Sequence, residues 1–489
     1  MDNTSAVVVT LIGYNLLLIL IGLWASKRTQ STEDFFIGGH KLGPWVAGIS
    51  SSASASSAWS LLGASGATYM WGVSMLWLFP SIICGYVFNW LWLAPRIQAF
   101  SRQHQAVTLT DVLSSSAGQY RKQVIWLCSF IIVFCFTFYI ASQFQAAGNT
   151  FASTFDLDVR MAIVVGAAII LVYTLLGGFW AVSVTDTVQG LLMALVAVVL
   201  PIAALYQVGG IGALIDGLQR YSSAAQLSWT GGYSGIIALG FIVGTFGVGL
   251  GNPGQPHVVN RFMALHTDED GSKRTLRRAQ LIGILWPSLV FGGMLILGLC
   301  ARVLLNEHNT DTSINDAEQV FFTMTHALFE PVLVGVIIAA VLSAIMSTAD
   351  SQLLVCASSL SYDLTNKLPA RQALFMSRLT VAGMCIISAL IALYAPASIF
   401  SRVLFAWAAI GAAFAPLLIV ILSGYRVKPM HCLLAISSGF LLTVLFNWQA
   451  SPPGDYLERV LPFVVALAIA WHGRQPRDLR SASGLRLSE

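Results

Sequence analysis

Between Leu342 and Gln352 an otherwise apolar stretch carries Ser343, Ser347, Thr348, Asp350 and Ser351. Spacings of three and four place Ser343, Ser347, Asp350 and Ser351 on one face of a helix. A carboxylate inside an apolar helix costs ~3 kcal/mol on insertion scales unless something compensates it, so by default it marks a functional position. Hydroxyl, carbonyl and carboxylate oxygens are the ligands that a hard cation takes. The plainer reading of Asp350 is a salt bridge to another helix. A second acid, Asp186, lies in the run from Val182 to Thr187, near one end of its apolar segment. Its plainer reading is a helix N-cap.

Two further segments must supply any partners. One reads Gly43-Pro44, then serine and alanine from Ser50 to Ala58, then Trp59, Gly63 and Gly66. The other reads Gly247, Gly249, Gly251-Asn252-Pro253-Gly254-Gln255-Pro256-His257. Both are apolar enough to enter a bilayer and too rich in Ser, Gly or Pro for a continuous helix. Carbonyls freed at such a break need partners, and a bound cation or solute is one. Interrupted spans in separate halves of a chain point to a transporter's midplane site. The bland alternative is close helix packing through small residues. It suits the Ser/Ala run better than a turn with two prolines.

The elements that position these residues are membrane helices. The 489 residues are 56% hydrophobic and 10% charged, with mean hydropathy +0.75. Soluble domains carry roughly 25% charged residues. Apolar runs near 20 residues long recur from Leu17 to Val465 without the alternation of barrel strands, giving about thirteen spans. The net charge of +4 is unevenly placed. Lys27 and Arg28, Arg121 and Lys122, Lys273 to Arg278, Arg426 and Lys428, and Arg474 fall on one set of connections. Asp156, Asp216, Glu307, Asp316 and Asp455 fall on the other. The positive-inside rule then predicts an outside N-terminus and a cytoplasmic C-terminus. The first apolar run has its acid before it and its bases after it, so it reads as a retained helix rather than a cleaved signal. Seven cysteines, an odd number with no CxxC pair, read as small apolar packers. There is no phosphate-binding GxxxxGK[ST] and no nucleophile–base pair, so neither ATP hydrolysis nor enzyme catalysis is expected. His40 and His257 stand alone and read as solvated or satisfied residues.

At these residues the chain resembles the solute:sodium symporter family, and within it the bacterial sodium/proline symporters. The likeness runs through Phe35 to Gly39 with Leu42 to Pro44, Thr174 to Ala181 with Thr185 to Gln189, Gly254 to His257 with Arg261 to Ala264, Met346 to Thr348 with Gln352 to Val355, and Ala406-Trp407 with Gly411 to Phe414. It implies an all-α LeuT-type inverted repeat of five plus five helices, with one helix before it and two after. The transmembrane unit would span 1–473, with its core at about 42–425, followed by a short basic tail at 474–489 expected to be disordered. It implies sodium as the coupling ion, bound by Ala53, Ser56 and Ala344 carbonyls and by Ser347 and Thr348 hydroxyls. A second sodium would involve Asp186, Ser347, Asp350 and Ser351. Substrate would meet Ser54, Trp59, Tyr139, Val248, Asn252, Gln255 and Pro256. The chain departs from the sodium/proline symporters as follows: Ala55 stands for Asp, His40 for Arg, Ile140 for Cys and Asp350 for Ser, while Val248 and Asn252 replace aromatic residues.

The resulting expectation is a sodium-driven importer of a small amino acid such as L-proline in a bacterial inner membrane. Its partners would be the solute, sodium and the bilayer, with no nucleic acid and no obligate protein partner. The alternatives are sodium or proton coupling to another small carboxylate-bearing solute, and a transporter-like sensor.

Overall fold

The computed structural model describes residues 3–26, 41–155, 157–176, 179–266, 272–307, 317–365, 370–395, 398–449 and 453–476. The expected motif from Phe35 to Gly39, together with His40, Lys27, Arg28, Asp156 and Asp316, lies outside them. So does the tail from 477 onward.

The chain is helical nearly throughout. In order, the main helices are α1 (Asn3–Ser26), α2 (Pro44–Ala55), α3 (Ala64–Trp71), α4 (Leu78–Val87), α5 (Ala94–His104), α6 (Arg121–Phe155), α7 (Val159–Leu176) and α8 (Phe179–Val208). They continue with α9 (Gly235–Phe246), α10 (Pro256–Met263), α11 (Ser272–Glu307), α12 (Pro331–Ser358), α13 (Ala370–Tyr394), α14 (Ile399–Leu422), α15 (Pro429–Asn447) and α16 (Leu461–His472). Among the described residues, ten helical stretches are long and apolar enough to cross a bilayer. A count of thirteen passes also takes in the shorter α7 and α16 and divides the run Trp59–His104 between two passes.

Both expected interruptions are present. Pro44 opens α2 at a position that needs no amide donor. The helix stops at Ala55, where Ser56 leaves helical geometry at φ −105°, ψ 87°. It resumes as a wide π turn over Trp59–Gly63 that runs into α3. The second span winds down from α9 into a tight 3-10 segment, Gly247–Gly254, and restarts at Pro256. Glycine is required there by contact. A Cβ on Gly251 would sit 2.3 Å from Trp407 Cδ1, and one on Gly411 would sit 2.3 Å from the Gly251 Cα. The chain thus lets α14 lie directly on the break.

Burial separates the centre from the rim. In α12 and α14, 83% of the apolar stretch is buried, against 17% in α1. The first two therefore form the core of the bundle, and α1 turns Ile12, Leu16 and Leu20 outward, as a lipid-facing helix does. α12 packs against α1, α2, α6 and α8, so residues on its several faces meet different partners. Arg474–Pro476, expected at the start of a disordered tail, instead pairs antiparallel with Tyr425–Val427. This small ribbon satisfies backbone groups just beyond the ends of α14 and α16.

Candidate functional site

Two layers of polar groups lie about one helical turn apart, roughly 5–6 Å, along α2 and α12. The first surrounds the break after α2. Ser347 Oγ donates to the Ala53 carbonyl at 3.2 Å and is 3.4 Å from the Ala344 carbonyl. Thr348 Oγ1 donates to the Ser54 carbonyl at 3.0 Å. Ser56 is buried beside them, and its Oγ has no hydrogen-bond partner among the described residues. Ala53, Ser56, Ala344, Ser347 and Thr348 are therefore brought together, and all are sequestered from solvent. Carbonyls and hydroxyls in that arrangement can coordinate a small monovalent cation if the hydroxyl protons turn away.

The second layer is charged. Asp186 on α8 accepts from Arg261 Nη2 at 2.6 Å and from Ser50 Oγ at 2.9 Å. Arg261, on α10, also donates through Nε to Ser50 Oγ at 2.6 Å, through Nη2 to Ser351 Oγ at 2.7 Å, and through Nη1 to the His257 carbonyl. Asp350 accepts from Ser351 Oγ at 3.3 Å. Asp186, Asp350 and Arg261 are all essentially inaccessible. One carboxylate thus pairs directly with the guanidinium and the other shares Ser351 with it, and Asp186 Oδ1 and Asp350 Oδ2 have no hydrogen-bond partner among the described residues. Asp186 lies within α8 rather than capping it. The serine-bearing face of α12 is divided between partners: Ser343 meets Tyr14 of α1 at 2.5 Å, Ser347 the α2 break, and Ser351 the guanidinium.

Beside the α2 break is a small cavity of about 20 Å³, lined by Ala55, Trp59, Tyr139, Val248, Asn252 and Trp407 among others. It would hold little more than one water molecule. Four of the seven expected substrate residues thus line one cavity. The other three do not line it. Ser54 gives its carbonyl to Thr348 and donates its Oγ back to the Ser51 carbonyl. Gln255 ties the second break to α14 by donating to the Gly251 carbonyl at 3.1 Å and the Trp407 carbonyl at 3.0 Å. Pro256 opens α10. A much larger cavity, about 490 Å³, lies at the Trp71 end and is lined by Phe400, Gln226, Asp455 and Arg459 among others. Phe400 packs at a tilt against both Trp59 and Trp71, with ring centroids 5.8 and 5.6 Å apart, and so forms an aromatic wall between the two spaces.

The model of the sodium:solute symporter family matches residues 35–431. The chain belongs to the sodium:solute symporter family. The high-affinity proline transporter PutP of Bacillus subtilis is 32% identical over 451 residues, covering 91% of this chain and 92% of the relative. The osmoregulated proline transporter OpuE of the same organism is 32% identical over 470 residues, with 95% and 93% coverage. A sodium/proline symporter of Staphylococcus aureus is 31% identical over 474 residues, with 94% and 90% coverage. Among solved structures, a Na+-coupled sialic acid symporter matches with TM-score 0.80 at 17% identity, covering 96% of this chain and 99% of that one. Mhp1, a nucleobase-cation-symport-1 family transporter, matches with TM-score 0.57 at 14% identity, with 90% and 95% coverage. The fold is the LeuT type, and this family member is a multi-pass membrane transporter rather than an enzyme.

Sequence reasoning missed Arg261 as a site residue, although Arg261 stands in a quoted motif. Its signal was an arginine inside a membrane segment in a chain that also carries two intramembrane acids. Asn89 and Trp407, which hold the second break, gave no such signal, because a lone Asn or Trp in an apolar run is ordinary.

Proposed function

We propose that the protein is a sodium-driven symporter that carries a small imino acid, L-proline or a close analogue, into a bacterial cell by alternating access. The observation that carries this reading is the pairing of Ser347 and Thr348 hydroxyls with the Ala53 and Ser54 carbonyls at a helix break next to the cavity holding Trp59. A cation bound there draws the break toward α12, so sodium and solute favour the same closed arrangement. The names of the relatives support the imino acid, and the pattern of basic connections supports an outside N-terminus and a cytoplasmic C-terminus in the inner membrane. In proteoliposomes, an inward sodium gradient should drive accumulation of labelled L-proline after the proton gradient has been collapsed. Equal uptake in sodium-free buffer under a pH gradient alone would refute sodium coupling.

The charged layer favours a second coupling cation. Two carboxylates against one guanidinium leave one negative charge uncompensated, and the unpartnered oxygens of Asp186 and Asp350 would accept a sodium ion or a proton. Asp350→Asn keeps the shape and removes that charge. Folded yield should be preserved, while the sodium or pH dependence of uptake shifts. Loss of folding, restored by a compensating change at Arg261, would make Asp350 purely structural.

A further inference from the structure

The cavity wall opposite the α2 break contains a hydrogen-bond donor with a fixed direction and no acceptor. Asn89, in the π turn Phe88–Leu93 between α4 and α5, is fully buried. Its Nδ2 donates to the Asn252 backbone carbonyl at 3.2 Å and to Asn252 Oδ1 at 3.0 Å. A backbone carbonyl only accepts, so Asn89 must present its NH2 there. The same NH2 then obliges Asn252 to offer Oδ1 rather than Nδ2. The orientation of the Asn252 amide therefore follows from a main-chain atom and is not a free choice. Its outward end is Nδ2, which takes no acceptor from the described residues. That nitrogen lies alongside Gly85 on α4, where a Cβ would come within 3.1 Å of it. Gly85 sits between Ile82 and Tyr86, which with Asn252 line the cavity.

Trp59 supplies a second donor. Its Nε1 is buried and unpartnered. It follows directly on the α2 break and thus lies at the cation-binding side. The rest of the lining includes Val248, Phe291 and Leu404. The cavity therefore combines apolar walls with an Asn252 amide that has no acceptor among the described residues, and an unpartnered indole N–H lies buried beside it in Trp59. A buried donor without an acceptor is costly, and a site built around one selects for the ligand that answers it. A simple imino acid has a carboxylate for the Trp59 side and nothing for Asn252.

We infer that the preferred substrate is a small cyclic imino acid with one further hydrogen-bond acceptor on its ring, a hydroxyl or carbonyl, that accepts from Asn252 Nδ2. Asn89 is the positioning residue that aims the donor. This rests on the imino acid reading above and sharpens it to a hydroxylated or oxo-substituted ring.

The test is competitive and direct uptake of L-proline and of cis- and trans-4-hydroxy-L-proline in proteoliposomes with a sodium gradient. The better hydroxyproline epimer should show a kcat/KM about tenfold above that of L-proline, as expected for answering one buried donor. Asn252→Leu should bring that ratio toward one by lowering the kcat/KM of hydroxyproline more than that of L-proline. Asn89→Leu leaves the donor in place but unaimed, and should lower the ratio in the same direction. It also serves as the readout if the Asn252 variant does not reach the membrane. Sodium-driven uptake of L-proline with a ratio at or below one overturns this inference alone, as does a high ratio unchanged in both variants. Uptake of none of the three overturns the imino acid reading and this inference with it.

Discussion

The two helix breaks solve one problem in opposite ways. Each frees backbone carbonyls in a region with no water to receive them. At the break after α2, the carbonyls of Ala53 and Ser54 are met by the short hydroxyls of Ser347 and Thr348, at 3.2 and 3.0 Å. At the break after α9, Phe246 O is capped by Ser81 Oγ at 2.6 Å, Val248 O by Trp407 Nε1 at 3.1 Å, Gly251 O by Gln255 Nε2 at 3.1 Å, and Asn252 O by Asn89. A hydroxyl is donor and acceptor at once and can rotate to show a lone pair to an ion. An indole N–H is donor only, and its ring is fixed by packing. The first break can exchange its protein partners for a cation; the second holds its shape and forms the pocket wall. Arg261 joins them, since it is carried by α10 just beyond the second break and grips Ser50 just ahead of the first.

Breaking that link should have the largest effect. Arg261→Ala leaves two buried carboxylates without their cation and should cost about 3–5 kcal/mol of stability. The check is thermal unfolding in detergent. Adding Asp186→Asn to the same chain should recover much of the loss, and failure to do so would show that the pair is not what Arg261 serves. Next in size, Thr348→Ala and Ser347→Ala should each raise the sodium concentration for half-maximal uptake about tenfold, near 1.4 kcal/mol. Each variant also leaves a buried carbonyl unpaired, Ala53 O or Ser54 O, so thermal unfolding should register a loss of about 1–3 kcal/mol besides the sodium shift. Unchanged sodium dependence in both would remove the first break's claim to exchange partners. The smallest effect on sodium dependence is expected at the second break. Trp407→Phe deletes the bond to Val248 O and should cost about 1–3 kcal/mol at most, because it leaves a buried acceptor unpaired. Sodium affinity should stay put, and a large change in it would erase the distinction between the two breaks.

Much of this contrast was legible in one dimension. Two prolines within four residues at Pro253 and Pro256 cannot continue a helix, whatever surrounds them. Apolar runs of bilayer length can satisfy their backbone only as helices, so class and approximate span number follow from composition and length. The spacing of Ser347, Asp350 and Ser351 put their oxygens on one side of α12. What spacing could not say is who faces them. Ser343, Ser347 and Ser351 look alike along the helix axis, yet they meet Tyr14, Ala53 and Arg261, residues remote from α12 in the sequence. The Asn89–Asn252 pair, 163 residues apart, is equally invisible, because each residue alone is an ordinary polar interruption. Sequence determined that the chain breaks in two places and that acids lie inside the membrane, since proline stereochemistry and the cost of a charge in hydrocarbon are local properties. Only the packing of α2, α8, α10 and α12 against one another decided that the protein's own guanidinium pairs with Asp186 and shares Ser351 with Asp350. Pairing of buried charges is a long-range contact, set by where the helices cross.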